Sequence, residues 1–353
     1  MAFLAAHETS PSTDRLLDLV RGLSGQPVLI LADLVADRFI TGTPKRISRE
    51  APVLILRWEE EIVVPGGGAN AVHNVAALGG RPLPLGAVGE DGDGAALLEL
   101  LRGAGVDTQM ILLQPGYRTP TKTRVLAGGT HSIKQQIVRY DIEDRLELTP
   151  ADRHRLVRPL QEGKAGKARI AILSDYGYGA VEPALLPSIR RAIGEDAVIL
   201  CDSRYRLGDF TGLDGATPNE EEARNLLGEP LPEAGEALWQ AGCRLRSQLG
   251  ARFLLITRGS RGMVLFEADR MAVVPVHGTD QVADVTGAGD TVIGTFALAL
   301  AAGATPLEAT LLANYAGGVV VMKIGTACLG PDELAAAVAA DPIRPEVSRW
   351  AKS

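Results

Sequence analysis

Cysteine is scarce in this 353-residue chain: Cys201, Cys243 and Cys328 stand far apart, with no C-x-x-C pair. That excludes a disulfide framework and a zinc finger or ribbon, and reads as reduced thiols. A basic excess is also lacking, with 36 Lys+Arg against 43 Asp+Glu and a formal net charge of −7. A general nucleic-acid binder needs a basic face to neutralise phosphates, so that class is set aside. Long hydrophobic runs are missing, since the most apolar windows, 292–302 and 316–322, fall below the ~20 residues that span a bilayer. The opening MAFLAAHETSPSTDR has no basic segment ahead of its short apolar patch, so no signal peptide is expected. Tandem repeats and low-complexity linkers are absent as well. The expectation is a soluble, cytoplasmic protein without nucleic-acid or membrane partners.

What is abundant is glycine, with 40 residues beside 21 prolines and 46% hydrophobic residues. The glycines follow no G-X-Y period and lie between strongly apolar stretches, so a collagen and a disordered chain are both excluded. Short runs rich in Val, Ile and Leu at 28–32, 170–174, 197–202 and 253–257 read as buried strands. Between them, 69–78, 94–104, 183–193 and 233–249 carry apolar residues at helical spacing. This alternation predicts a doubly wound α/β fold, with a mostly parallel sheet covered by helices on both faces.

Two stretches break the rhythm, about 39–64 and 119–141, where polar turns join strand patterns with no helix between. They are expected to form antiparallel strands of a small β-sheet lid on a single domain spanning 1–353, ordinary edge hairpins being the plainer alternative. The second stretch gathers Lys122, Arg124, Lys134 and Arg139, the local cations that an acidic protein needs for an anionic ligand.

The most informative segment is Asp284-Val-Thr-Gly-Ala-Gly-Asp290-Thr, which leads into an apolar helix pattern. Small residues at a helix start let a ligand approach the backbone, and the unpaired amides and positive dipole end favour an anion. Asp290 would then hold a carboxylate beside that anion, as proton abstraction from an attacking hydroxyl requires. Alone, the motif also fits a helix that merely starts with an acid. A Walker A sequence is absent, because Gly163-Lys-Ala-Gly-Lys167 has the wrong spacing, and there is no H-R-D loop or Rossmann fingerprint. His73 and His131 have no third partner at metal-ligand spacing and read as structural or surface residues.

Several segments together resemble the PfkB (ribokinase-like) family of carbohydrate kinases. In order these are Pro65-Gly-Gly-Gly-Ala-Asn70, Gly86-Ala-Val-Gly-Glu-Asp-Gly-Asp-Gly94, Thr217-Pro-Asn-Glu-Glu-Glu222, Ile256-Thr-Arg-Gly-Ser-Arg-Gly262 and the segment around Asp290. Asp33-Leu-Val-Ala-Asp37, Arg46-Ile-Ser-Arg-Glu-Ala-Pro52, Thr121-Lys-Thr-Arg-Val125, Leu173-Ser-Asp-Tyr-Gly177 and Val319-Val-Val-Met-Lys-Ile-Gly325 are most similar to the branch acting on D-glycero-β-D-manno-heptose 7-phosphate. Tyr178 and Ser203-Arg204 stand where that branch carries Lys and Pro-Lys, which leaves a kinase for another sugar open. A non-catalytic nucleotide-binding regulator is the alternative from another class. The chain ends at Ser353 without a nucleotidyltransferase half, so a stand-alone kinase is expected.

The resemblance implies ATP-dependent phosphorylation of a sugar or sugar phosphate, with Mg2+ and K+ as ions and a homodimer formed through the lid. It makes Asp290 the base and the amides of Gly287, Ala288 and Gly289 an anion hole. It assigns Asn219 and Glu222 to the Mg2+ and phosphate side, though both also suit a helix N-terminus. Thr257, Arg258, Gly259, Gly262 and Asn314 fall on the nucleotide side. Asp33, Asp37, Gly66, Gly67, Gly68, Asn70, Lys122, Arg124, Arg139 and Asp175 fall on the substrate side. For Asp33 a turn or cap is the plainer reading, and for the three cations solvated surface charge. Asp284 matches a monovalent-cation position, with a helix cap as the simpler reading.

Overall fold

The computed structural model describes residues 3–4, 11–129, 134–278, 283–323 and 325–350. The chain opens with β1 (Phe3–Leu4), α1 (Thr13–Gly22) and β2 (Pro27–Ala32), then two long strands, β3 (Leu34–Ile47) and β4 (Leu54–Gly67). Next come α2 (Gly68–Ala77), β5 (Arg81–Gly89), α3 (Gly92–Gly103) and β6 (Ile111–Gln114). A second strand pair, β7 (Thr121–Ala127) and β8 (Gln135–Ile142), precedes α4 (Pro150–Gln161), β9 (Ile170–Asp175), α5 (Leu186–Ile193), β10 (Val198–Ser203) and β11 (Gly215–Ala216). Then follow α6 (Glu220–Leu227), α7 (Gly235–Gln248), β12 (Phe253–Thr257), β13 (Met263–Phe266) and β14 (Arg270–Val274). The last elements are α8 (Ala288–Ala301), α9 (Pro306–Val320), α10 (Pro331–Ala340) and β15 (Glu346–Trp350).

Eleven strands form one sheet in the order β1-β15-β14-β13-β12-β11-β10-β9-β2-β5-β6, parallel from β12 to β6 and antiparallel beyond. Strand β2 shows why its sequence is an unbroken apolar run. Val28 and Ile30 point into the core under α1, α2, α8 and α9, while Leu29 and Leu31 point into the opposite core under α4, α5 and α7. Both faces are covered, so neither set is polar. Full burial of such a side chain is worth about 1.5–3 kcal/mol. Among the described residues no helix is long and apolar enough to cross a membrane.

From β2 the chain winds outward to β5 and β6, then returns to the other side of β2 with β9 and winds the opposite way. The switch point therefore lies between β2 and β9, and their carboxyl ends open a crevice where ligands bind in sheets of this type. Asp33, Asp175 and Ser203 end or follow β2, β9 and β10 there.

The lid is a separate four-stranded sheet, β4-β3-β7-β8. Its two hairpins are antiparallel, as expected, but they join through a parallel β3–β7 pair, because both strands leave the main body in the same direction. Strand β3 also starts at Leu34, five residues earlier than expected, with only Asp33 between it and β2. The consequence is that Asp37 sits inside the lid sheet, paired in register with Lys122.

Candidate active site

Gly287 is the N-cap residue of helix α8, with a left-handed φ of +78° and no side chain to cap the first amides. Asp290 lies in the first turn and is 2% exposed. Its Oδ1 accepts the Tyr176 hydroxyl at 2.8 Å and its Oδ2 accepts the Asn70 amide at 3.0 Å. Asn70 is in turn oriented by Asn74, which donates to its Oδ1 at 3.1 Å, and Thr291 donates to Asn74 at 2.9 Å. Burial pushes the Asp290 carboxyl up to about 7, with Asp37 adding to the rise, while the two hydrogen bonds and Lys122 pull it down. A buried carboxylate that titrates near neutrality suits a general base.

The lid brings cations to the same place. Arg124 pairs with Asp37 at 2.9 Å, both largely buried. A Cβ on Gly66 would lie 2.6 Å from the Asp37 carboxyl carbon, so glycine there makes room for the acid. The Lys122 ammonium stands 5.1 Å from the centre of the Tyr176 ring. Burial lowers its pKa, and Arg139 and Arg204 lower it further against the pull of Asp37 and Asp141. Arg139 stands opposite Arg124 across β7 and β8 and is held by Asp141 at 2.5 Å.

On the other side of Asp290 a cavity of about 680 Å³ is walled by Asp202, Arg204, Thr217, Glu222, Gly287 and Gly289. An adjoining apolar compartment of about 500 Å³ lies between Met263, Val276, Val292, Gly317 and Val321, sharing Thr257 and Gly259 with the first. Gly262 and Asn314 belong to that second compartment. The Thr217 hydroxyl is buried without a hydrogen-bond partner at the cavity wall.

Several expected ligands are engaged by the protein instead. Asp33 is 1% exposed and accepts the amides of Tyr176, Tyr178 and Ala180 at 2.8, 2.9 and 2.8 Å, so it shapes the loop after β9. Burial and then Asp175 raise its carboxyl to about 6 against those three bonds. Asp175 touches the cavity, yet its oxygens take the Ser203 hydroxyl at 2.6 Å and Arg206 at 2.8 Å. The Ala288 amide is turned to the Val285 carbonyl at 3.2 Å, so of the three expected anion-hole residues Gly287 and Gly289 line the cavity. Arg258 donates to Glu220 and to the Glu233 carbonyl, both at 2.9 Å, and Asn314 donates to the Pro275 carbonyl at 2.8 Å. Both side chains thus brace the compartment walls.

Asn219 and Glu222 form a reciprocal cap on α6, each side chain accepting the other's amide at 2.9 Å. Glu222 also faces the cavity, where burial raises its pKa. Asp284 accepts the amides of Thr286 at 2.9 Å and Gly325 at 3.1 Å, the geometry of a turn. Gly67 and Gly68 are buried at the junction of β4 and α2, where a Cβ on Gly67 would lie 3.4 Å from the ring of Tyr176, which lines the cavity. His73 lies 3.2 Å from the Cys328 sulfur, no metal-holding cluster occurs among the described residues, and His131 lies outside them.

Two site residues escape the sequence reading. Tyr176 reaches Asp290, and Asp202 faces the cavity with its pKa pushed well up by burial, Glu222 and Asp290. Their signal is position: each ends or directly follows a buried parallel strand at the carboxyl edge.

The site is thus a two-sided crevice with an acid at a glycine-rich helix start, under a four-stranded β lid on a doubly wound sheet. The family model described as pfkB family carbohydrate kinase matches residues 42–164 and 203–332, and the chain belongs to that family. It is 42% identical over 321 residues to the bifunctional protein HldE of Nitrosococcus oceani, covering 90% of this chain and 65% of the relative. The HldE of Mesorhizobium japonicum is 37% identical over 332 residues, again covering 93% and 65%. The chain thus spans 65% of the length of these curated relatives. Among solved structures, Arabidopsis thaliana ribokinase complexed with ribose and ATP superposes with a TM-score of 0.68 at 20% identity, covering 90% of this chain and 100% of that one. Phosphofructokinase-2 from Escherichia coli in complex with substrates and products gives 0.69 at 20% identity, covering 89% and 98%. The same enzyme in complex with potassium gives 0.68 at 19% identity, covering 90% and 98%. These likenesses establish the ribokinase-like fold.

Proposed function

We propose that the chain transfers the γ-phosphoryl group of ATP to a sugar phosphate, converting D-glycero-β-D-manno-heptose 7-phosphate to the 1,7-bisphosphate. The observation that carries this reading is Asp290, a buried carboxylate titrating near 7 between the lid cations and the glycine-walled cavity. Phosphoryl transfer is mostly positioning and charge stabilisation, and both halves of the crevice offer these.

In this reading the apolar compartment takes the adenine, and the cavity takes the phosphates against the positive end of α8. Asp290 removes the proton from the anomeric hydroxyl as its oxygen attacks the γ-phosphorus, and ADP leaves. Lys122, Arg139 and Arg204 receive the substrate phosphate, while Asp37 and Asn70 face the sugar. Asp202 and Glu222, two acids that line the cavity and are both raised in pKa by burial, fit a magnesium ion held mainly through water and nucleotide phosphate. Such an ion shields the phosphate charge. A potassium ion near Asp284 belongs to the same proposal, as do a cytoplasmic location and one catalytic unit made by the whole chain and its lid.

Tyr178 favours a second reading, a kinase for another sugar. Burial raises its phenol to about 12, so a neutral donor stands where the heptose branch has a cation. A panel of sugars and sugar phosphates assayed for ADP release with MgATP decides between them. The heptose 7-phosphate is expected to give the highest kcat/KM, and a clear preference for unphosphorylated ribose or a nucleoside overturns the assignment.

The lid also supports a homodimer. Ile47, Leu54, Trp58 and Ile62 are between 43% and 68% exposed around edge strand β4, an apolar edge that a second copy would cover. Sedimentation should show the wild type as a dimer and Trp58→Glu shifted to monomer; a monomeric wild type at micromolar concentration contradicts this.

A further inference from the structure

We infer that Tyr176 is a positioning residue for the Asp290 carboxylate, and that through Lys122 it links that carboxylate to the lid. The inference rests on the phosphoryl-transfer reading above.

The geometry is specific to the hydroxyl. Tyr176 donates to Oδ1 of Asp290 at 2.8 Å, and Asn70 donates to Oδ2 at 3.0 Å from the opposite element, α2. A carboxylate held at both oxygens is restrained from rotating, so its remaining lone pairs keep a fixed orientation. A phenylalanine would fill the same space as the tyrosine ring. Only the phenol oxygen touches the base.

Tyr176 is itself fixed at three points. Its amide donates to Asp33 at 2.8 Å, its ring lies under the Lys122 ammonium at 5.1 Å, and its hydroxyl meets Asp290. The buried Asp33, which holds two further amides of the same loop, thereby supports the base at one remove. Lys122 belongs to β7 of the lid, so outward movement of the lid would lift a cation from above the ring and away from Asp290.

Charged and titratable groups around Asp290 come from several elements, among them the Cys328 thiol, whose pKa burial and then Asp290 raise against Lys323. Asp37 of β3 raises the proton affinity of Asp290 and Lys122 of β7 lowers it. Asp202 of β10 and Arg204 just beyond act on Tyr176, the first raising and the second lowering its pKa. Burial and then Asp290 dominate there and hold the phenol well above its ordinary value, so it stays a donor throughout the working range. Tyr176 therefore cannot replace the base and acts only by fixing it.

The test is the pH profile of kcat/KM for the full chain and its Tyr176→Phe variant, with heptose 7-phosphate, MgATP and ADP release as readout. This ratio reports ionisations of the free protein. Losing a hydrogen bond to an ionised carboxylate should raise the acid limb by about one pH unit. The variant then loses about tenfold at pH 6.5 and no more than about twofold at pH 9. Unchanged ATP affinity by calorimetry shows that its nucleotide site is intact. Lys122→Met is the second arm, expected to move the same limb upward by a smaller amount and to raise the KM for the sugar phosphate. An acid limb unmoved in both variants, or an equal loss at every pH, overturns the inference while leaving phosphoryl transfer standing. A wild type that forms no ADP with any member of the sugar panel overturns the transfer reading and this inference with it.

Discussion

Asp290→Asn is expected to lose about 10²- to 10⁴-fold in kcat, the usual contribution of a general base, while still binding MgATP. The amide can keep a neighbourly contact with Asn70 and Tyr176 but cannot accept a proton from the sugar. Stability should change in the opposite direction. The Asp290 carboxyl rises from its ordinary 3.8 to about 7 in the folded chain, so between those values the folded state holds the proton more tightly than the unfolded one. Its contribution is complete below about pH 4 and is lost as the pH climbs to 7. Asparagine never carries that buried charge. The variant should therefore be more stable than the wild type at pH 8, by an amount on the order of 4 kcal/mol and with a higher unfolding temperature, and should unfold at nearly the same temperature at pH 4. Steady-state ADP release and thermal unfolding at the two pH values check both halves. Near-normal turnover, or equal unfolding temperatures at pH 8, contradicts the account.

Gly287→Ala should be the most damaging single methyl in the crevice. The residue has a φ of +78°, where an L side chain costs about 1–2 kcal/mol. Its Cβ would also sit 2.4 Å from the Asn70 amide nitrogen, which must swing away and release Asp290. We expect a fall of about 10²-fold in kcat/KM, an unfolding temperature lower by several degrees, and an acid limb shifted upward. Gly289→Ala is the control. That residue is helical, with its nearest neighbour, Asp202 Oδ2, at 3.8 Å, so its fold should survive while the methyl narrows the cavity. Equal unfolding temperatures for the two variants would mean that the left-handed start of α8 matters less than argued.

The fold was legible wherever one local pattern had one physical solution. A run such as Val28 to Ala32, apolar at every position, must be covered on both faces, and β2 is. The glycines before Asp290, followed by an apolar helix pattern, mark a helix start, and α8 begins there. The direction in which β3 and β7 pair was not legible, because alternation of polar and apolar residues is the same in parallel and antiparallel ladders.

The site was harder for a related reason. An acid just after a strand looks the same whether it binds a ligand or holds a loop. Asp37 and Asp33 are four residues apart, yet one faces a lid arginine and the other is used up by amides more than 140 positions away. Arg258 likewise lines the cavity while Glu220 holds its guanidinium. Tyr176 stands inside Leu173-Ser-Asp-Tyr-Gly177, yet its role comes from a carboxylate 114 positions later in the chain.

The most direct test of the central claim is phosphorus NMR of a reaction containing the protein, MgATP and D-glycero-β-D-manno-heptose 7-phosphate. The account predicts ADP together with a second phosphate resonance on the anomeric oxygen of the sugar, absent when Asp290→Asn replaces the wild type. ADP accompanied only by inorganic phosphate, or an anomeric phosphate formed equally well by Asp290→Asn, would contradict it.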